Sequence, residues 1–122
     1  MKKTSARQGP EDGWIGVDLD GTLAHYDTWP GPGIIGEPVP RMLGRVRAWL
    51  KQGREVRIMT ARAGDPEEVV AIQAWLEIKC QLPRLPVTNV KDYKMLELWD
   101  DRAVQVKKNT GMVIGYSSRG LE

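Results

Sequence analysis

Short apolar runs alternate along this chain with stretches in which apolar residues recur at helical spacing. Trp14, Ile15, Gly16 and Val17 form the first run, a short buried strand, and the chain turns polar at Asp18. Pro40 suits the first turn of a helix, and Met42, Leu43, Val46, Trp49 and Leu50 recur at helical spacing until Gly53 supplies a stop. Glu55–Met59 reads as a second strand. Asp65-Pro66-Glu67-Glu68 marks another helix start, with Asp65 as N-cap, Pro66 at the first position and acids in the first turn. Val69, Ile72, Trp75, Leu76 and Lys79 continue that helix as a core-facing set, and Pro83 lies beyond its end. Leu85–Val90 and Met95–Trp99 are further strand candidates. Ala103–Val106 and Met112–Tyr116 read as a hairpin, or as successive edge strands, around Asn109-Thr110-Gly111. Strands alternating with helices predict an α/β fold, a mostly parallel sheet covered on both faces.

Two stretches lack this periodicity. Residues 1–12 are polar and contain Gly9-Pro10, so disorder is expected there, and the tail 117–122 carries no signal. Residues 23–39 are punctuated by Pro30, Pro32, Pro38, Gly31, Gly33 and Gly36, which forbid a long helix. Trp29, Ile34 and Ile35 within that loop favour an ordered flap over a linker. Trp29 itself reads either as a platform over a substrate or as a tryptophan closing the edge of the core. Residues 13–116 then make one domain.

Composition removes several function classes. No apolar run approaches the ~20 residues of a membrane span, and the N-terminal stretch has no apolar signal core. Cys80 is alone, which precludes an intrachain disulfide and suits a reducing cytoplasm, the expected location. A net charge of +2 is too small to argue for nucleic acid. The stripe Arg41, Arg45, Arg47 and Lys51 reads as a solvated helix face. His25 is the single histidine, so a Cys/His zinc site is excluded, and neither a GxxxxGK[ST] loop nor a GxGxxG fingerprint is present. Carboxylates, hydroxyls and lysines must carry any chemistry.

Those groups fall at predicted strand ends. Asp18 and Asp20 lie two apart, so in extended chain they project together, and Gly21-Thr22 forces a turn after them. Carboxylates held that close repel unless one keeps a proton or a cation intervenes. A right-handed crossover brings Thr60 and Arg62 to the same sheet edge, the place where open α/β sheets bind ligands. Asp100 and Asp101 end the last strand, with Lys91 and Lys94 upstream. Acids converging without histidine or cysteine select a hard cation, and Mg²⁺ fits best.

This set of residues, in this order, resembles the haloacid-dehalogenase-like phosphohydrolase superfamily. DLDGT at 18–22 matches its first motif, Thr60 its second, a lysine its third and Asp100-Asp101 its fourth, across Trp14–Gly111. The resemblance implies a three-layer Rossmann-like parallel sheet and Mg²⁺-dependent phosphoester hydrolysis through an aspartyl-phosphate. It makes Asp18 the nucleophile and a metal ligand. Asp20 becomes the general acid and later the base, its backbone carbonyl also reaching the metal. Thr60 would hydrogen-bond a phosphoryl oxygen, and Asp100 or Asp101 would complete the metal site. Small members with a TNxKD…DDR ending, which residues 88–102 resemble, favour Lys91 over Lys94 as the charge-neutralising lysine. Gly21, Thr22, Arg62 and Trp29 are candidate substrate contacts, with surface ion pairs the other reading of Arg62 and of Arg102. Residues 23–39 leave room for a minimal flap but no cap domain. An open site suits nucleic-acid ends, phosphoproteins or small phosphomonoesters, or else needs a second copy as lid. More loosely, the Asp-Asp-Arg ending resembles the phosphatase half of polynucleotide kinase-phosphatases. A receiver-like phospho-accepting module and an inert Mg²⁺-binding scaffold acting through protein contacts are the rival classes.

Overall fold

In the computed structural model, which describes residues 12–115, strand β1 (Trp14–Asp18) has neighbours on both sides. Helix α1 (Pro40–Lys51) leads to β2 (Glu55–Met59), and a 3₁₀ turn at Ala61–Gly64 leads to α2 (Pro66–Ile78). Two further strands follow, β3 (Val87–Thr88) and β4 (Met95–Trp99). The sheet order is β3-β2-β1-β4, and all pairings are parallel. This is an α/β architecture, and because its strands run in one direction their C-terminal ends share one edge.

Apolar alternation sets the packing. Ile15 and Val17 pair with Val56 and Ile58 in register, and all four lie in one core cluster with Val46 of α1 and with Ile72 and Leu76 of α2. Both helices therefore pack on that face. On the opposite face Trp14 is fully buried beneath the Arg57 guanidinium, 4.5 Å from its ring, and its indole N–H donates to Asp92 Oδ1 at 2.8 Å. Among the described residues no helix covers this second face, so side chains alone shield it, where the sequence predicts helices on both sides.

Helix boundaries follow local chemistry. Pro66 opens α2, and the Asp65 carboxylate accepts the Glu67 N–H at 2.9 Å. Pro40 opens α1 without a side-chain cap, and Gly53 at φ +80° turns the chain out of it. β3 is shorter than the predicted Leu85–Val90. Pro86 lacks an N–H but its carbonyl still accepts from Ile58 at 2.8 Å, and the Val90 N–H is captured by Thr88 Oγ1 at 3.0 Å, ending the ladder. The predicted hairpin reduces to a single antiparallel bridge, Val106 with Val113, around a turn in which Asn109 and Gly111 take positive φ. Tyr116, the segment 1–11 and the tail 117–122 lie outside the described residues. No helix among those described is long and apolar enough to cross a membrane.

The aperiodic loop is an ordered flap. Val39 N–H donates to the Leu23 carbonyl at 2.7 Å and His25 N–H to the Glu37 carbonyl at 2.8 Å, closing its base. Gly36 is required there, because a Cβ would collide with the His25 carbonyl. The Trp75 indole N–H donates to the Gly36 carbonyl at 3.0 Å and fastens the flap to α2.

The two isoleucines of α2 test this packing. Ile72 is fully buried and Ile78 is 71% exposed. Ile72→Ala is expected to cost about 2–5 kcal/mol in urea unfolding, and Ile78→Ala less than about 0.5 kcal/mol.

Candidate functional site

The shared sheet edge opens into a cavity of about 840 Å³ lined by Asp18, Asp20, Thr60, Arg62, Asp100 and Asp101, among other residues. β1 ends at Asp18, and the turn that follows sends the next acid elsewhere. Thr22, Leu23 and Ala24 all donate backbone N–H groups to the Leu19 carbonyl, which buries Leu19 completely and breaks the extended geometry. Asp18 and Asp20 both line the cavity, as expected of acids two apart at a strand end, but Asp20 is not part of the close carboxylate group. Asp18 instead gathers with Asp100 and Asp101, their carboxylate oxygens lying within 4.8 Å of one another.

Two residues of the turn hold that approach. Gly21 has φ +92°, and a Cβ there would sit 2.5 Å from Asp101 Oδ2, so both conformation and space demand glycine. Thr22 Oγ1 accepts the Asp101 backbone N–H at 3.0 Å and lies 3.3 Å from both Asp18 Oδ2 and Asp101 Oδ1. Its single hydrogen serves one of those carboxylates at a time. Gly21 and Thr22 hold the Asp101 carboxylate and backbone through these contacts and are not among the residues lining the cavity.

Electrostatics at the cluster are severe. Two unit charges 4.8 Å apart repel by roughly 3.5 kcal/mol at an effective dielectric constant of about 20. Burial pushes the Asp18 carboxyl up to about 7, with Asp100 and Asp101 adding to the rise. An all-oxygen donor set that resists full ionisation fits a hard divalent cation, which would replace the retained proton. Both Asp100 and Asp101 offer an oxygen to it.

Asp20 has a different partner. Arg62 Nε donates to its Oδ2 and Arg62 Nη2 to its Oδ1, both at 2.9 Å, a bidentate clamp. The guanidinium is buried, not a surface group. Its Nη1 donates to Glu68 Oε1 at 3.0 Å, its Nη2 also to the Ile34 carbonyl at 3.0 Å, and its Cζ lies 4.6 Å from the centre of the Trp29 ring. Burial opposes its charge, but the bonds to Asp20 and Glu68 outweigh that and hold its pKa above the ordinary value. Glu68 in turn accepts the Gly33 N–H at 2.6 Å, so one ion network joins α2, Asp20 and the flap.

Thr60 is buried, accepts the Arg62 N–H at 3.2 Å through Oγ1, and lines the cavity. Trp29, 55% exposed, also lines it and does not close the core edge. Lys91 is exposed and outside the lining, and among the described lining residues there is no lysine; Arg102 is there instead. Tyr26, Asn89 and Glu68 were not legible as site residues. Glu68 looks like an ordinary first-turn acid, and only its burial beside Arg62 distinguishes it. Searches against protein-family models, curated proteins and solved structures found no match to this chain.

The raised Asp18 pKa carries a sign. Its proton is bound more tightly in the folded chain, so this group favours folding below about pH 4 and that contribution is lost as pH rises through about 7. In chelator, Asp18→Asn is expected to raise the melting midpoint at pH 8 by on the order of 5 °C and to leave it nearly unchanged at pH 4. Thermal melts at the two pH values check this.

Proposed function

We propose that this chain is a Mg²⁺-dependent phosphatase with a haloacid-dehalogenase-like fold, hydrolysing phosphomonoesters through an aspartyl-phosphate on Asp18. The observation that carries the reading is the gathering of Asp18, Asp100 and Asp101 oxygens within 4.8 Å at the ends of two adjacent parallel strands. Those three carboxylates would hold the ion, and when bound it supplies charge neutralisation for an anion attacking an anion.

The chain's own residues supply the remaining roles. An Asp18 oxygen forms a bond to phosphorus as the ester oxygen leaves, dividing one difficult displacement into two. Asp20 gives its proton to the leaving oxygen and afterwards takes one from the water that attacks phosphorus as the Asp18–phosphorus bond breaks and inorganic phosphate leaves. The Asp20 carboxylate faces Arg62 with both oxygens, so the proton-bearing form requires one arm of that clamp to open. Thr60 accepts from Arg62 through Oγ1, which leaves its O–H to donate to a phosphoryl oxygen. Arg102 lines the cavity and supplies the cation that the resemblance assigns to Lys91. Charge cancellation of this kind counts most where negative charge develops in the transition state.

Phosphate release with and without Mg²⁺ tests the assignment. Asp18→Asn is expected to abolish Mg²⁺-dependent turnover. Asp20→Asn is expected to slow it by about 10²–10⁴-fold and to let acid-stable phosphoenzyme accumulate. Full activity in Asp18→Asn overturns the proposal, and stable phosphorylation of Asp18 without turnover points instead to a phospho-accepting module.

A further inference from the structure

We infer that Glu68 is a positioning residue: it holds Arg62 against Asp20 and the flap tip against Arg62, so that freeing the general acid and lifting the tip are one motion. The role given to Asp20 rests on the phosphatase reading; the linkage between Asp20 and the flap does not. Of the two acids in the first turn of α2, Glu67 is exposed and Glu68 is buried. The helix start has no need of Glu68, because Asp65 already accepts the Glu67 N–H. A buried carboxylate is costly unless donors meet it, and here they come from two different elements. Glu68 Oε1 accepts from Arg62 Nη1 at 3.0 Å. Its Oε2 accepts the backbone N–H of Gly33 at 2.6 Å, the short separation of a charge-assisted bond.

Residues 29–34 of the flap meet Arg62 twice more, through the Ile34 carbonyl on Nη2 at 3.0 Å and through the Trp29 ring, 4.6 Å from Cζ. The donors of a guanidinium lie in one rigid plane, so they turn together. Nη2 is shared between Asp20 Oδ1 and the Ile34 carbonyl. Turning the group to release Asp20 therefore pulls on Ile34 and, through Nη1, on Glu68 and Gly33. The base of the flap is fastened separately, by the Trp75 indole on the Gly36 carbonyl and by the His25 N–H on the Glu37 carbonyl. Movement of the tip thus leaves the base in place.

Amide hydrogen exchange on the full chain, read at Gly33, tests the linkage without any substrate. Glu68→Gln keeps the side chain's shape but replaces one acceptor oxygen with an NH₂ group, which cannot serve a donor. Asp20→Asn makes the same change at the other end of the network. Each is expected to speed Gly33 exchange by about tenfold or more, and the double variant by no more than the larger single effect. The amides of His25 at the flap base and of Ile72 in the core should keep their rates. Phosphate release supplies a second readout. In Glu68→Gln, kcat should fall by about 10–100-fold with KM within about twofold, because Asp20 acts after the ester is bound. Gly33 exchange unmoved by Asp20→Asn, single effects that add in the double variant, or equal acceleration at Ile72 overturns the inference. A wild-type kcat in Glu68→Gln also overturns it, and none of these results touches the phosphatase reading. Linked exchange in a chain that hydrolyses no ester supports the linkage and overturns that reading instead.

Discussion

Asp18, Asp100 and Asp101 crowd their carboxylates within 4.8 Å of one another, and burial together with its two neighbours pushes the Asp18 carboxyl up to about 7. Much of the structure serves to hold them there regardless. Parallel pairing of β1 with β4 brings the two strand ends side by side. Gly21 lets the Asp101 carboxylate come closer than any side chain would permit. Thr22 ties the Asp101 backbone N–H to the turn after β1. Burial of Asp18 then holds its carboxyl up to about 7, with Asp100 and Asp101 adding to the rise.

Arg62 organises the other half of the cavity. A buried guanidinium is costly unless its donors are met, and here carboxylates, a carbonyl and an aromatic ring all meet it. Such a network adds little net stability but specifies one arrangement, linking Asp20 to the flap through a single side chain. The cavity thus has two electrostatic compartments: an acid cluster short of positive charge, and an acid already paired with one.

The elements were legible where local chemistry decides them. Asp65-Pro66 set the start of α2, and alternation in Glu55–Met59 marked β2, because capping and burial act over a few residues. Asp18, Asp100 and Asp101 were legible as strand-end acids. What sequence could not give was direction after the strand ends: the turn through Leu19 sends Asp20 to Arg62, and that depends on a partner 42 residues away. Lys91 is exposed and outside the cavity lining, although Asn89, two residues before it, lines the cavity. The hairpin expected after β4 lacked a packed face to propagate it, and a lone bridge resulted.

Among the described residues β4 is an outermost strand, bonded to the sheet along one side only, and two of the three clustered acids follow its end. Edge strands are among the first elements to open in a native protein. Fraying at this margin would scatter the acids while leaving the helical side of the domain intact. Losing the acid cluster and peeling one ribbon from the sheet are therefore the same event.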